Sequence, residues 1–144
     1  MRPSIWIIVA NSSEARLFEQ STPASELAQR MQWRHPASRR QEALSRHQHR
    51  GSGIQGRAGL MPRETSRDHE RHAFAHEISA WLKQEMAFTP PARLTVFASP
   101  GFLGHLHQAF AHTLMPCAYS SHPLDLTRFA AHEILQRLPL HGSP

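Results

Sequence analysis

The run Ile5-Trp6-Ile7-Ile8-Val9-Ala10 constrains the fold more than any other stretch of the chain. Six consecutive apolar residues, four of them β-branched, leave no face for water. They read as a central strand buried on both sides. A strand of that kind needs a sheet neighbour on each edge and a packed layer on each face. The 144 residues are enough for one such core, since folding at this length buries roughly two-thirds of the unfolded surface. The same run is the longest apolar stretch, far short of the roughly 18 residues that a membrane span requires, and too short for a secretory signal. No membrane partner is expected, and the cytoplasm is the expected location. The single cysteine, Cys117, has no second thiol for an internal disulfide, which agrees with a reducing compartment.

Asn11-Ser12-Ser13 ends the first strand, Ala15 to Gln20 pairs back as a hairpin, and Glu26 to Arg34 supplies a third strand. From His35 to Glu64 periodicity disappears, and Arg50-Gly51-Ser52-Gly53-Ile54-Gln55-Gly56-Arg57-Ala58-Gly59 reads as part of a long Arg/Gly-rich loop over about 35–64. Thr65 caps a helix that runs to about Met86, with Phe74, Ile78, Trp81 and Leu82 in one inward stripe. Arg93 to Ala98 is a strand. Ser99-Pro100 opens a second helix with Phe102, Leu103, Leu106, Phe110 and Leu114 inward. Met115 to Ser121 is a weak strand, and Phe129 to Leu138 a last short helix.

The order is thus β-β-β, long loop, α, β, α, β, α. The front meander must be antiparallel and the second half parallel, which makes residues 1–144 a single α/β domain with a mixed sheet and helices on its faces. That layout is the one found in ribonuclease H-like domains.

Charge is concentrated in the middle of the chain. Between Arg30 and Arg71 stand ten arginines against four acids, an excess of six, whereas the remainder carries one net negative charge. Guanidinium forks match phosphate geometry and keep their charge at physiological pH, so this segment suits an RNA backbone. A solvated basic surface is the plainer reading.

Three segments resemble a family of small bacterial proteins, the host attachment proteins or proteins required for attachment to host cells. They are Trp6 to Phe18 (WIIVANSSEARLF), Ala98 to Leu106 (ASPGFLGHL) and Asp125-Leu126-Thr127-Arg128. The family often carries Asp where Asn11 stands and a larger, often basic residue where Gly101 stands. It is similar in turn to the middle domain of archaeal and eukaryotic-type release factors, a ribonuclease H-like fold with a Gly-Gly-Gln loop before a long helix. The resemblance implies a translation-related role and sets Gly53-Ile54-Gln55-Gly56 at the corresponding place. Ile54 cannot easily take the torsions the second glycine supplies, which argues against peptidyl-tRNA hydrolysis through Gln55.

Other chemistries find little support. A two-metal nuclease needs several converging carboxylates, yet the only aspartates are Asp68 and Asp125, and the first strand has no acid. His69, His72 and His76 share one helix face at spacings of three and four, but this stripe points away from Phe74, Ile78 and Trp81, so it reads as a hydrated surface and not as a metal site. Ser99 is explained as a helix cap, and Cys117 as a buried thiol. No phosphate-loop or dinucleotide-binding signature occurs.

No catalytic residue, metal or cofactor is expected. The leading reading is a non-enzymatic domain that binds RNA or the ribosome. Arg39, Arg40, Arg46, Arg50 and Arg57 would meet phosphates, Gly51, Gly53 and Gly56 would allow close backbone approach, and Gln55 would lie among them. The alternatives are an interaction module for an acidic protein partner and, third, a hydrolase of the release-factor type.

Overall fold

The computed structural model describes residues 4–35, 55–111 and 117–138, with residues 55–65 described as helical backbone alone. Five strands are seen there: β1 (Ile5–Ala10), β2 (Glu14–Gln20), β3 (Ala28–Arg34), β4 (Arg93–Ala98) and β5 (Ala118–His122). Three helices accompany them, α1 (Gln55–Phe88), α2 (Pro100–Ala111) and α3 (Ala131–Gln136). The protein is therefore a mixed α/β fold.

The strands lie in the order β3-β2-β1-β4-β5 and not in the order in which the chain runs. The front meander occupies one half of the sheet, antiparallel throughout, and β4 returns to the free edge of β1 in parallel register, with Ile7 opposite Thr95 and Val9 opposite Phe97. β5 extends the parallel half. β1 is central, as its apolar run requires. Trp6, Ile8 and Ala10 pack on the α1/α2 side with Phe74, Ile78, Leu82, Phe102 and Leu106, while Ile7 and Val9 pack on the other side with Phe18, Phe97, Leu126 and Ile134. Each such side chain contributes about 1.5–3 kcal/mol when fully buried.

One irregularity in the meander has a visible consequence. The register of β2 and β3 shifts between Leu17 and Phe18, whose partners are Met31 and Gln29, so Arg30 is the extra residue of a bulge. Its guanidinium lies 5.1 Å from the Trp6 ring centroid and 5.9 Å from that of Trp81. It also reaches Glu85 at 3.0 Å and Glu19 at 3.6 Å. Trp33 meets Trp81 edge-on at 5.5 Å, which completes a tryptophan cluster roofed by a neutralised arginine.

The main departure from the sequence reading concerns α1. Within the expected loop over 35–64, residues 55–64 are helical, and the helix begins at Gln55 instead of Thr65. Gly56 and Gly59 each cost about 1 kcal/mol in a helix and Pro62 about 3 kcal/mol, so this first part of α1 continues from the anchored part against its own propensity. The anchored part is the stretch from Phe74 to Met86, whose buried residues Phe74, Ile78, Leu82 and Met86 hold it against the sheet. The strand at 115–121 is likewise shifted to Ala118–His122, and the last helix shortens to Ala131–Gln136, where Glu133 Oε1 accepts the Ala130 N–H at 2.9 Å.

Candidate functional site

Parallel strands β1 and β4 end side by side at Ala10 and Ala98, where the Ser99 N–H donates to the Ala10 carbonyl at 3.1 Å. The carboxyl edge of parallel strands, where connections depart in opposite directions along the sheet, is the usual place for a site in open α/β folds. Here the chain leaves β1 toward β2 on one side and enters α2 from β4 on the other. Pro100 starts α2, and the Ser99 carbonyl accepts the N–H groups of Phe102 (3.0 Å) and Leu103 (2.9 Å).

One side of this edge is closed by a polar lock. Asn11 Oδ1 accepts the N–H groups of Ser13 at 2.8 Å and Glu14 at 3.0 Å, which shapes the turn into β2. Its Nδ2 donates to the Thr127 hydroxyl at 3.1 Å and to Asp125 Oδ2 at 3.3 Å. Asp125 Oδ1 in turn accepts from the Thr127 N–H (3.0 Å) and its hydroxyl (2.5 Å). Arg16, on β2, donates from Nη2 to the carbonyls of Leu126, Thr127 and Phe129 at 3.4, 2.8 and 2.6 Å. Burial lowers the Arg16 pKa, partly offset by Glu14, but an arginine starts so high that it stays charged. Asn11 and Arg16 belong to the first segment of the family resemblance, and Asp125 to Arg128 is the last. Their joint role is to tie the 125–129 turn to the hairpin, and no nucleophile is freed by it.

The other side is formed by α1. At 1.5 Å per residue its 34 residues extend about 51 Å, whereas a six-residue strand spans about 20 Å. His35, just past β3, meets Glu70 with Nε2–Oε2 at 2.7 Å and stacks on Phe74 at 4.9 Å. The fifteen residues before Glu70 therefore run beyond the strand ends, placing Gln55 about 22 Å further along the helix axis. Asp68 reaches across to α2, where His105 Nε2 lies 3.2 Å from its Oδ1.

On this helix Arg67 precedes Phe74 by seven residues, and Arg71 precedes Ile78 by seven, so both arginines share the inward sector of α1. Both are half-buried. They were not singled out from the sequence, although their i, i+4 spacing in line with the core stripe is a readable signal. His69, His72 and His76 are exposed, as their sector implies, with the His72 and His76 rings 4.3 Å apart.

Of the residues expected to contact phosphate, Arg39, Arg40, Arg46, Arg50, Gly51 and Gly53 lie outside the described residues. Gln55, Gly56 and Arg57 open α1 and are not part of a loop. The glycine at 56 is thus a helical residue, and its expected role of letting a loop backbone approach a ligand does not apply in that form.

Cys117 is a free thiol, half-buried, next to β5. Burial pushes its pKa up, against smaller opposing effects of the Leu94 backbone and Arg93. That is the reverse of an activated nucleophile. No helix among the described residues is long and apolar enough to cross a membrane.

The family described as "Protein required for attachment to host cells" matches residues 6–138, nearly the whole chain and both halves of the polar lock. The chain belongs to this host attachment family. A search of curated proteins finds no match to it. The strand-turn-strand start, the Ser99-Pro100 helix entry and the Asp125-Leu126-Thr127 turn all fall within the residues matched to the host attachment family. These three meet at one edge of the sheet.

Proposed function

We propose that this host attachment family protein is a non-enzymatic RNA- or ribosome-binding domain, cytoplasmic, with residues 1–144 forming one α/β domain. The observation that carries the reading is the excess of six positive charges between Arg30 and Arg71, in a segment that leaves the sheet at His35 and returns along α1 to Glu70. Its two flanks meet at one place. Phosphate contacts through Arg39, Arg40, Arg46, Arg50 and Arg57 would draw on this excess charge.

The finer fold assignment belongs to the same proposal. An antiparallel front β3-β2-β1 joined to a parallel β1-β4-β5, with two helices on one face, supports a ribonuclease H-like topology. The kinship with the middle domain of release factors is supported by the position of Gln55 at the start of a long projecting helix. Ile54, where those factors carry glycine, favours binding without hydrolysis.

The test is RNA affinity measured across a salt series. Affinity should fall steeply as salt rises, with a log–log slope that reflects several phosphate contacts. Absence of binding at low ionic strength, or binding indifferent to salt, overturns the reading. Partners that survive ribonuclease treatment in a pull-down would replace RNA with an acidic protein.

A further inference from the structure

Two carboxylates within one turn of Arg67 and Arg71 are committed elsewhere. Asp68 stands three residues from Arg71, and Glu70 three from Arg67, spacings at which ion pairs form readily along one helix. Asp68 is instead bound to His105 of α2 at 3.2 Å, and Glu70 to His35 at 2.7 Å. Among the described residues, neither arginine has an ion pair or a hydrogen-bond acceptor. Arg67 Nε is fully enclosed and unpartnered, and so is Nδ1 of His105, the residue that takes Asp68.

This is a costly arrangement for a stretch of helix that overhangs the sheet. An enclosed guanidinium nitrogen such as Arg67 Nε loses hydration and recovers it only through an acceptor. The other arginines with large buried parts show what satisfaction looks like. Arg16 Nε is enclosed and unpartnered as well, but its Nη2 has three carbonyls, and Arg30 has two carboxylates and two indole rings, whereas neither Arg67 nor Arg71 has any acceptor among the described residues. Arg67 and Arg71 sit on the face of α1 that continues the core stripe, above Phe74, whose ring stacks on Phe102 of α2 at 5.4 Å. They thus overlook the carboxyl edge of the sheet.

We infer that Arg67 and Arg71 form a binding site for a phosphoryl group at this edge. Two guanidinium groups one turn apart carry a charge of two, which matches a phosphate monoester at neutral pH. Each planar fork presents parallel N–H donors to the oxygens of such a group. His35 and His105 act as positioning residues, since by holding Glu70 and Asp68 they keep both forks open. The inference deepens the RNA-binding reading by defining a phosphate contact on the described part of the fold, but it needs none of the arginines at 39–50.

Isothermal titration of the full chain with inorganic phosphate and with pyrophosphate at low salt tests it, with tryptophan fluorescence confirming the fold of each variant. Saturable binding is expected, weakened about ten-fold by R67Q and by R71Q, less by R67K, and unchanged by R128Q. No binding, or equal binding by wild type, R67Q and R71Q, overturns the site. RNA oligonucleotides with and without a 5′-phosphate distinguish the source. A requirement for the terminal phosphate assigns the group to an RNA end, and indifference to it, with phosphate still bound, assigns it to a free phosphorylated compound. Replacing Arg39, Arg40, Arg46 and Arg50 together by Gln tests the RNA reading separately. RNA affinity kept in that variant would remove the phosphate role assigned to those four arginines, while phosphate binding kept in it supports the site inferred here.

Discussion

Asn11 Nδ2 donates to the Thr127 hydroxyl at 3.1 Å, joining the end of the first strand to a turn 116 residues later in the chain. The amide is fixed in one orientation, because its Oδ1 is occupied by the N–H groups of Ser13 and Glu14.

Asn11→Asp should therefore destabilise the protein by about 1–3 kcal/mol near neutral pH. The new carboxylate keeps the turn bonds but loses both donations, and it faces Asp125 across the 3.3 Å the amide now bridges. Repulsion raises the folded-state pKa of the pair above the unfolded value. The loss should shrink as pH falls through the carboxylate range, where one proton restores a donor. Urea unfolding at several pH values checks this; a loss independent of pH would contradict it.

Arg16→Met keeps much of the side-chain bulk and removes the three donations to Leu126, Thr127 and Phe129. The carbonyls, part-buried, are left without that partner. A loss of about 1–3 kcal/mol is expected, with protease sensitivity appearing first near Arg128. Unchanged digestion kinetics would show that the 125–129 turn is held by other means.

Gly101 and Gly104 lie in α2, and a Cβ added at either meets open space. Gly→Ala at each site should raise stability by about 0.5–1 kcal/mol, through the unfolded chain's lost freedom and better helix propensity. Thermal melts of G101A, G104A and the double variant measure it, and the gains should add. A drop in melting temperature would mean that α2 is crowded at these positions.

Tyr119 is the sole tyrosine, so its phenol can be titrated by ultraviolet absorbance without ambiguity. Burial pushes its pKa from 10.0 to about 12. The unfolded chain gives up this proton first, so the associated stability is complete below pH 10 and declines as pH rises from 10 to about 12. Tyr119→Phe should flatten that part of the stability profile. A phenol that titrates at its ordinary value in the folded protein would place Tyr119 in water.

Sequence alone determined the elements whose signal is local. The uninterrupted apolar run of β1 can only be a strand covered on both faces, and it is. Arg93 to Ala98 declared a second one, Pro100 marked the entry of α2, and the sector of His69, His72 and His76 foretold their exposure. Tertiary structure decided what depends on distant partners. The lost periodicity over 35–64 and the Thr65 cap suggested that α1 begins at Thr65, whereas the helix begins at Gln55. The return of β4 to the free edge of β1 set the strand order. Which carboxylate meets which cation was also beyond local reading. Asp68 and Glu70 had arginines within one turn and took His105 and His35 instead, because only the folded sheet and α2 bring those rings within reach.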